Sequence, residues 1–204
     1  GSVLAFLSAS GGMVAGPNSS ALYDIYVSEL GGPGIERVST GTSGTLAANG
    51  AADNPDLSAD GRYVVFESTT SNWAAGGSTA TTDIFMKDRE TGTLTRISTS
   101  LSNGDGNGDS LNAKISAEGR FVVFESAASN LTSGDSNGYT DIFVWDRSDA
   151  SLTNLTSYDP DTTVNPNNSS TLADVGFDGQ QQGVVVFQTG KGLVAEDTSN
   201  ATDI

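Results

Sequence analysis

The chain spells nearly the same nine residues twice, DGRYVVFES from Asp60 and EGRFVVFES from Glu118. A fixed period constrains a fold more tightly than composition does, because each unit must bury its faces against neighbouring copies of itself. The segment YDIYVSELGGPGIERVST from Tyr23 returns as TDIFMKDRETGTLTRIST from Thr82 and as TDIFVWDRSDASLTNLTS from Thr140, and TDI appears once more from Thr202. The aspartates of these segments, Asp24, Asp83, Asp141 and Asp203, are 59, 58 and 62 residues apart. Upstream of each lies a β-rich run carrying a phenylalanine, at Phe6, Phe66, Phe124 and Phe187. The chain therefore reads as a single domain, or a piece of a larger one, made of four units at about 1–40, 41–99, 100–157 and 158–204.

Each unit reads as strands separated by turns. Val64, Val65 and Phe66 form a continuous apolar run, the pattern of a strand buried on both faces. The DIFV run places Ile142 and Val144 on one face and Phe143 and Trp145 on the other. RETGT and GGPG supply turn residues, LTRIS alternates as a further strand, and NPDLS from Asn54 and NAKIS from Asn112 supply a fourth before each Gly-Arg turn. No stretch sustains a 3.6-residue period. The expected fold is all-β: a β-propeller of four-stranded antiparallel blades, in which neighbouring blades cover both faces of each sheet. A parallel β-helix is the rival, but its coils repeat at half this period or less.

The pattern SADGRYVVFES…TDIFMKDRETGTLTRIS resembles the TolB-type propeller repeat, in which an S-x-D-G strand turn is followed by D-I-Y/F-V-x-D and a return strand ending in R-h-S/T. The similarity covers essentially the whole chain and weakens at FDGQQQGVVVFQTG. It implies a secreted or periplasmic bacterial protein whose propeller acts as a binding scaffold, and it implies no single activity, since such repeats also accompany peptidases and other enzymes. Reading each blade as four strands, the chain opens on a second strand and stops as a third begins. Two complete blades flanked by two partial ones are expected, from a larger propeller or, alternatively, a compact four-bladed ring. Open blade edges would invite self-association.

Composition narrows the chemistry. Nine basic residues stand against 25 acidic ones, a net charge of −16, which repels nucleic acid and anionic membrane surfaces. Cysteine and histidine are absent, removing disulfides, thiolate or imidazole metal sites, and histidine-dependent nucleophiles. No apolar run approaches the ~20 residues of a membrane helix, so no membrane insertion is expected. The acidic, Ser-, Thr-, Gly- and Asn-rich composition suits an extracellular, periplasmic or cell-surface setting.

Candidate sites follow from the loops. GDSNGYTD, Gly134 to Asp141, carries oxygen ligands at alternate positions beside a glycine bend, as a hard cation requires. It nominates Asp135, Asn137 and Asp141 for Ca²⁺, with a carbonyl such as that of Tyr139, and DTSNATD repeats the pattern at Asp197 and Asp203. The same aspartate recurs in all four units, so a turn-bonding role is the competing reading. SNGDGNGDS offers Asp105, Asn107 and Asp109 but no bidentate Glu, and reads as a connection between blades. GDSL at Gly108 matches a serine-hydrolase block without the histidine that chemistry needs. Trp145, at a position held by Ser28 and Lys87 in other units, reads as a partly exposed strand end. With Tyr139 and Trp73 it is a candidate to stack on a sugar ring, against the alternative that these rings pack between blades.

The function these features point to is a non-catalytic propeller scaffold with a protein or glycan ligand and Ca²⁺ as a stiffener of its loops. The alternative is an accessory propeller of a larger hydrolase or carbohydrate-active enzyme, with a propeller using carboxylates alone as a third possibility.

Overall fold

The structure is a computed structural model that describes residues 2–9, 22–32, 34–42, 44, 50–73, 80–156, 170–177 and 183–189. Its strands form four antiparallel sheets in chain order. The first holds β1 (Val3–Ser8), β2 (Asp24–Glu29) and β3 (Ile35–Arg37), and the second holds β4 (Ala52–Leu57), β5 (Tyr63–Ser68), β6 (Asp83–Asp88) and β7 (Leu94–Arg96). The third holds β8 (Ser110–Ile115), β9 (Phe121–Ser126), β10 (Asp141–Asp146) and β11 (Ser151–Asn154), and the last pairs β12 (Ser170–Phe177) with β13 (Gly183–Thr189). Each of the two complete sheets is a sequential meander, β4-β5-β6-β7 and β8 to β11, the plan of a propeller blade. The chain is all-β and built of such blades.

The repeated nonamer is the second strand of its blade, and its apolar run divides between two neighbours. Val64 and Phe66 join Ile25, Val27 and Val38 of the first blade in one core cluster. Tyr63 and Val65 join Ile115, Val122, Phe124 and Phe143 of the third blade in another. A strand buried on both faces must be apolar at every position, which is why the period-2 alternation disappears there. Aromatic pairs sit directly across the ladders: Phe66 faces Phe85 and Phe124 faces Phe143, stacked with centroids 6.1 and 5.5 Å apart. Each pair adds roughly 0.5–1.5 kcal/mol beyond the area it buries.

The Ser-x-Asp/Glu-Gly-Arg turn is a joint between blades as well as a hairpin. Ser58 Oγ accepts from Tyr63 N and donates to Asp60, and Ser116 Oγ accepts from Phe121 N in the same way. Gly61 and Gly119 have φ of +70° and +68°. A β-carbon at Gly61 would lie 2.6 Å from Val3 Cγ2, and one at Gly119 would run into the Tyr63 ring. Left-handed backbone and close approach together leave room for glycine alone. Arg62 then forks onto Asp88 and Arg120 onto Asp146, closing the second strand on the third.

Two sequence-derived boundaries shift. The first strands of the complete blades begin at Ala52 and Ser110, before the expected Asn54 and Asn112. Both are bulged, with register shifts between Asp53 and Asp56 and between Leu111 and Lys114, and Asn54 and Asn112 take positive φ of 46° and 56°. Asparagine tolerates this conformation better than other side-chain-bearing residues.

Candidate functional site

The aspartate that opens the third strand of each blade sits in a cage repeated three times. Ser39 donates to Asp24, Ser98 to Asp83 and Thr156 to Asp141, at 2.9, 2.6 and 2.8 Å. Each hydroxyl also accepts from the next backbone amide of the third strand, Ile25, Ile84 or Ile142. This is the turn-bonding role, and it accounts for the R-h-S/T ending of the repeat. The three carboxylates are buried. In the first two blades an arginine from the fourth strand neutralises them: Arg37 approaches Asp24 at 3.6 Å and Arg96 approaches Asp83 at 3.5 Å. Burial pushes the Asp83 carboxyl upward, while Ser98 and Arg96 pull it back.

The third blade breaks this rule. Asn154 stands where the sister blades have arginine, and its amide donates to Asp141 at 3.1 Å. A second carboxyl, Asp135, lies beside the Asp141 carboxyl. Burial, with the Asp141 charge beside it, pushes the Asp135 carboxyl up to about 6. Its Oδ1 is buried without a hydrogen-bond partner among the described residues. Asn137 donates its amide to both Asp141 oxygens at 3.1 and 3.2 Å, and its own oxygen accepts from Tyr139 N at 2.8 Å. Asp135, Asn137 and Asp141, nominated from spacing, are thus brought together. Asn137 turns nitrogen toward Asp141, so only a half-turn of its carboxamide would offer oxygen there. Asn154 escaped the sequence reading, although aligning the units on Arg37 and Arg96 exposes it.

The other acidic loop does not converge. Asp105 pairs with Arg96, Asn107 bonds Ser129 and Asn130, and Asp109 accepts from Thr82 N. It is a braced connection between the second and third blades. Among the described residues no three of His, Cys, Asp and Glu form a metal-holding group. Ser110 of the GDSL stretch is fully buried against Ser126 Oγ, 2.9 Å away. Asp197 and Asp203 lie outside the described residues.

The candidate aromatics separate. Tyr139 is 40% exposed. Trp73 packs edge-on against Phe66 and Phe85, with centroids at 6.0 and 5.6 Å, and belongs to the core between the first and second blades. Trp145, expected to be a partly exposed strand end, is only 6% exposed, because the second blade covers it.

No family model matches the chain, and no curated protein does. Among solved structures it is similar to a TolB protein from Agrobacterium tumefaciens, at 17% identity and a TM-score of 0.46 over 82% of this chain and 50% of that one. TolB from Acinetobacter baumannii gives 18% identity and a TM-score of 0.44, over 85% of this chain and 37% of that one. Tricorn protease gives 17% and 0.48, over 84% of this chain and 13% of that one. The chain thus spans half or less of the length of each.

Proposed function

We propose that the chain is a non-catalytic β-propeller scaffold of a secreted or cell-surface protein, which presents its loops to a protein or glycan ligand and is stiffened by Ca²⁺ at its third blade. The repeated polar residues support the scaffold reading: each has a repeated structural duty in a turn, a cage or an arginine fork, while diversity concentrates in connections and between blades.

The calcium reading rests on one observation, the replacement of arginine by Asn154 beside a second carboxyl. Where two blades meet a buried aspartate with a guanidinium, the third meets it with an amide and a second carboxyl and, among the described residues, no ion-pair partner. Asp135 and Asp141, joined by Asn137 after its carboxamide turns, would hold the ion, which supplies the charge that Arg37 and Arg96 supply elsewhere. Thermal unfolding in millimolar calcium and in chelator tests this. Calcium is expected to raise the Tm by several degrees, and Asp135→Asn or Asn154→Arg to abolish the difference. An unchanged Tm in the parent chain overturns the site. A glycan array and a capture assay with candidate secreted proteins, run with and without calcium, test the scaffold reading itself.

A further inference from the structure

The boundary between the first and second blades is sealed by one side chain. Lys87, buried on β6, directs its ammonium into four oxygens: Thr40 O, Thr40 Oγ1, Gly41 O and Gly92 O, at 3.0, 3.2, 3.3 and 2.8 Å. Thr42 Oγ1 adds a strap by accepting from Leu94 N at 3.1 Å. The loop after the first blade is thereby tied down onto the second.

The boundary between the second and third blades lacks both devices. In the register of Lys87 stands Trp145, and in that of Thr42 stands Leu101, 68% exposed. The loop after the second blade bonds to itself, with Ser100 N donating to Gly104 O and Gly104 N to Ser100 Oγ, and meets the third blade elsewhere, with Leu101 N donating to Asn130 O at 3.0 Å. A cavity of about 370 Å³ opens where the first boundary is closed, lined by Ile97, Leu131, Trp145 and Leu152 with Thr95 and Asn103 among its polar members. Its size falls within the usual range of ligand pockets.

The polar groups point to an occupant. The Trp145 indole N–H, the Thr95 hydroxyl and the Asn103 carboxamide make no hydrogen bond among the described residues. A hydrocarbon occupant would strip water from them and return nothing. An anionic occupant would find no counter-charge: Arg96, which also lines the cavity, is already paired with Asp83 and Asp105, and the chain carries −16 overall. An aliphatic floor, with the small part of the Trp145 indole that the second blade leaves uncovered and hydroxyl- and amide-bonding groups around it, matches the apolar C–H face and equatorial hydroxyls of a pyranose.

We infer that this cleft between the second and third blades binds one unit of a neutral saccharide, an inference that rests on the scaffold reading above and gives it a site. Saturation-transfer NMR with cellohexaose, maltohexaose, mannohexaose, xylohexaose and hexagalacturonate tests it. At least one neutral hexasaccharide is expected to bind and hexagalacturonate not to bind. The double substitution Trp145→Lys with Leu101→Thr removes the indole and places the residues of the first boundary there, and should weaken binding by at least about tenfold with the circular dichroism of a folded β protein retained, at a Tm lowered by loss of the buried ring. Should that variant fail to fold, Thr95→Val and Asn103→Ala each remove one polar contact at the rim and should weaken binding severalfold. Unchanged affinity in these variants overturns the cleft while leaving glycan recognition standing, and so does saturable binding of indole or cyclohexanol with no neutral sugar bound. Silence across the whole glycan array removes the glycan reading with it.

Discussion

Glu67 and Asp83 hold carboxylates inside a β core by different means. Asp83 has Arg96 and the Ser98 hydroxyl, so charge and a hydrogen bond together offset part of its desolvation. Glu67 has amides only: its Oε1 accepts from Asn54 Nδ2 and from Asn112 N, at 3.0 and 2.6 Å, and so ties the second blade to the first strand of the third. Burial pushes its pKa above the ordinary 4.5, outweighing both bonds. The folded state therefore holds a proton that the unfolded chain has released, and stability falls as the pH rises from about 4.5 through the raised folded value. A glutamine side chain in its place would keep the accepting oxygen and remove the charge. Glu67→Gln should then raise stability at pH 7 and leave it unchanged at pH 4. Urea unfolding at the two pH values checks this, and equal effects at both would contradict it. Single residues also mark where the sequence was silent. The spacing of Asp135, Asn137 and Asp141 was visible, but their partner Asn154 comes from another strand and becomes visible only when the repeat is used as a template.

At the scale of elements, the Gly-Arg turn separates two costs of losing glycine. Gly119 has a positive φ and the Tyr63 ring against it, whereas Gly134, with φ +89°, has open space around its α-carbon. Gly134→Ala should cost only the backbone term, about 1 kcal/mol, and Gly119→Ala at least about 2 kcal/mol more as the two blades are forced apart. Denaturant midpoints of the two variants measure the difference, and equal losses would mean that the turn does not bear on the neighbouring blade. Strand existence was legible because apolar runs and turn residues recur in step. The starts of β4 and β8 were not, because a bulge around an asparagine with positive φ interrupts the alternation that marks a strand. The burial of Trp145 was equally hidden, since period-2 patterning assigns a side chain to a face and says nothing of what covers that face.

For the whole molecule, the excess of acid over base means that folding draws like charges together. Raising NaCl from about 0.05 to about 0.5 M in chelator should therefore raise the Tm, by roughly 2–4 °C for each kcal/mol of repulsion screened, despite weaker surface pairs such as Arg62 with Asp88. A falling Tm would show that the ion pairs outweigh the net charge. Between blades the same backbone bond returns each time, from Ala52 N to Tyr23 O, Ser110 N to Thr82 O and Ser170 N to Thr140 O. Neighbours are thus joined alike in their main chain but not in their side chains. Lys87 finds three of its four oxygens on the loop that follows the first blade, and a duplicated second blade set behind itself would face that ammonium with the loop of Ser100 and Leu101. The blades are interchangeable in outline yet not in sequence position: their order is written into the surfaces between them, and a shuffled chain would carry a misplaced charge at the fault.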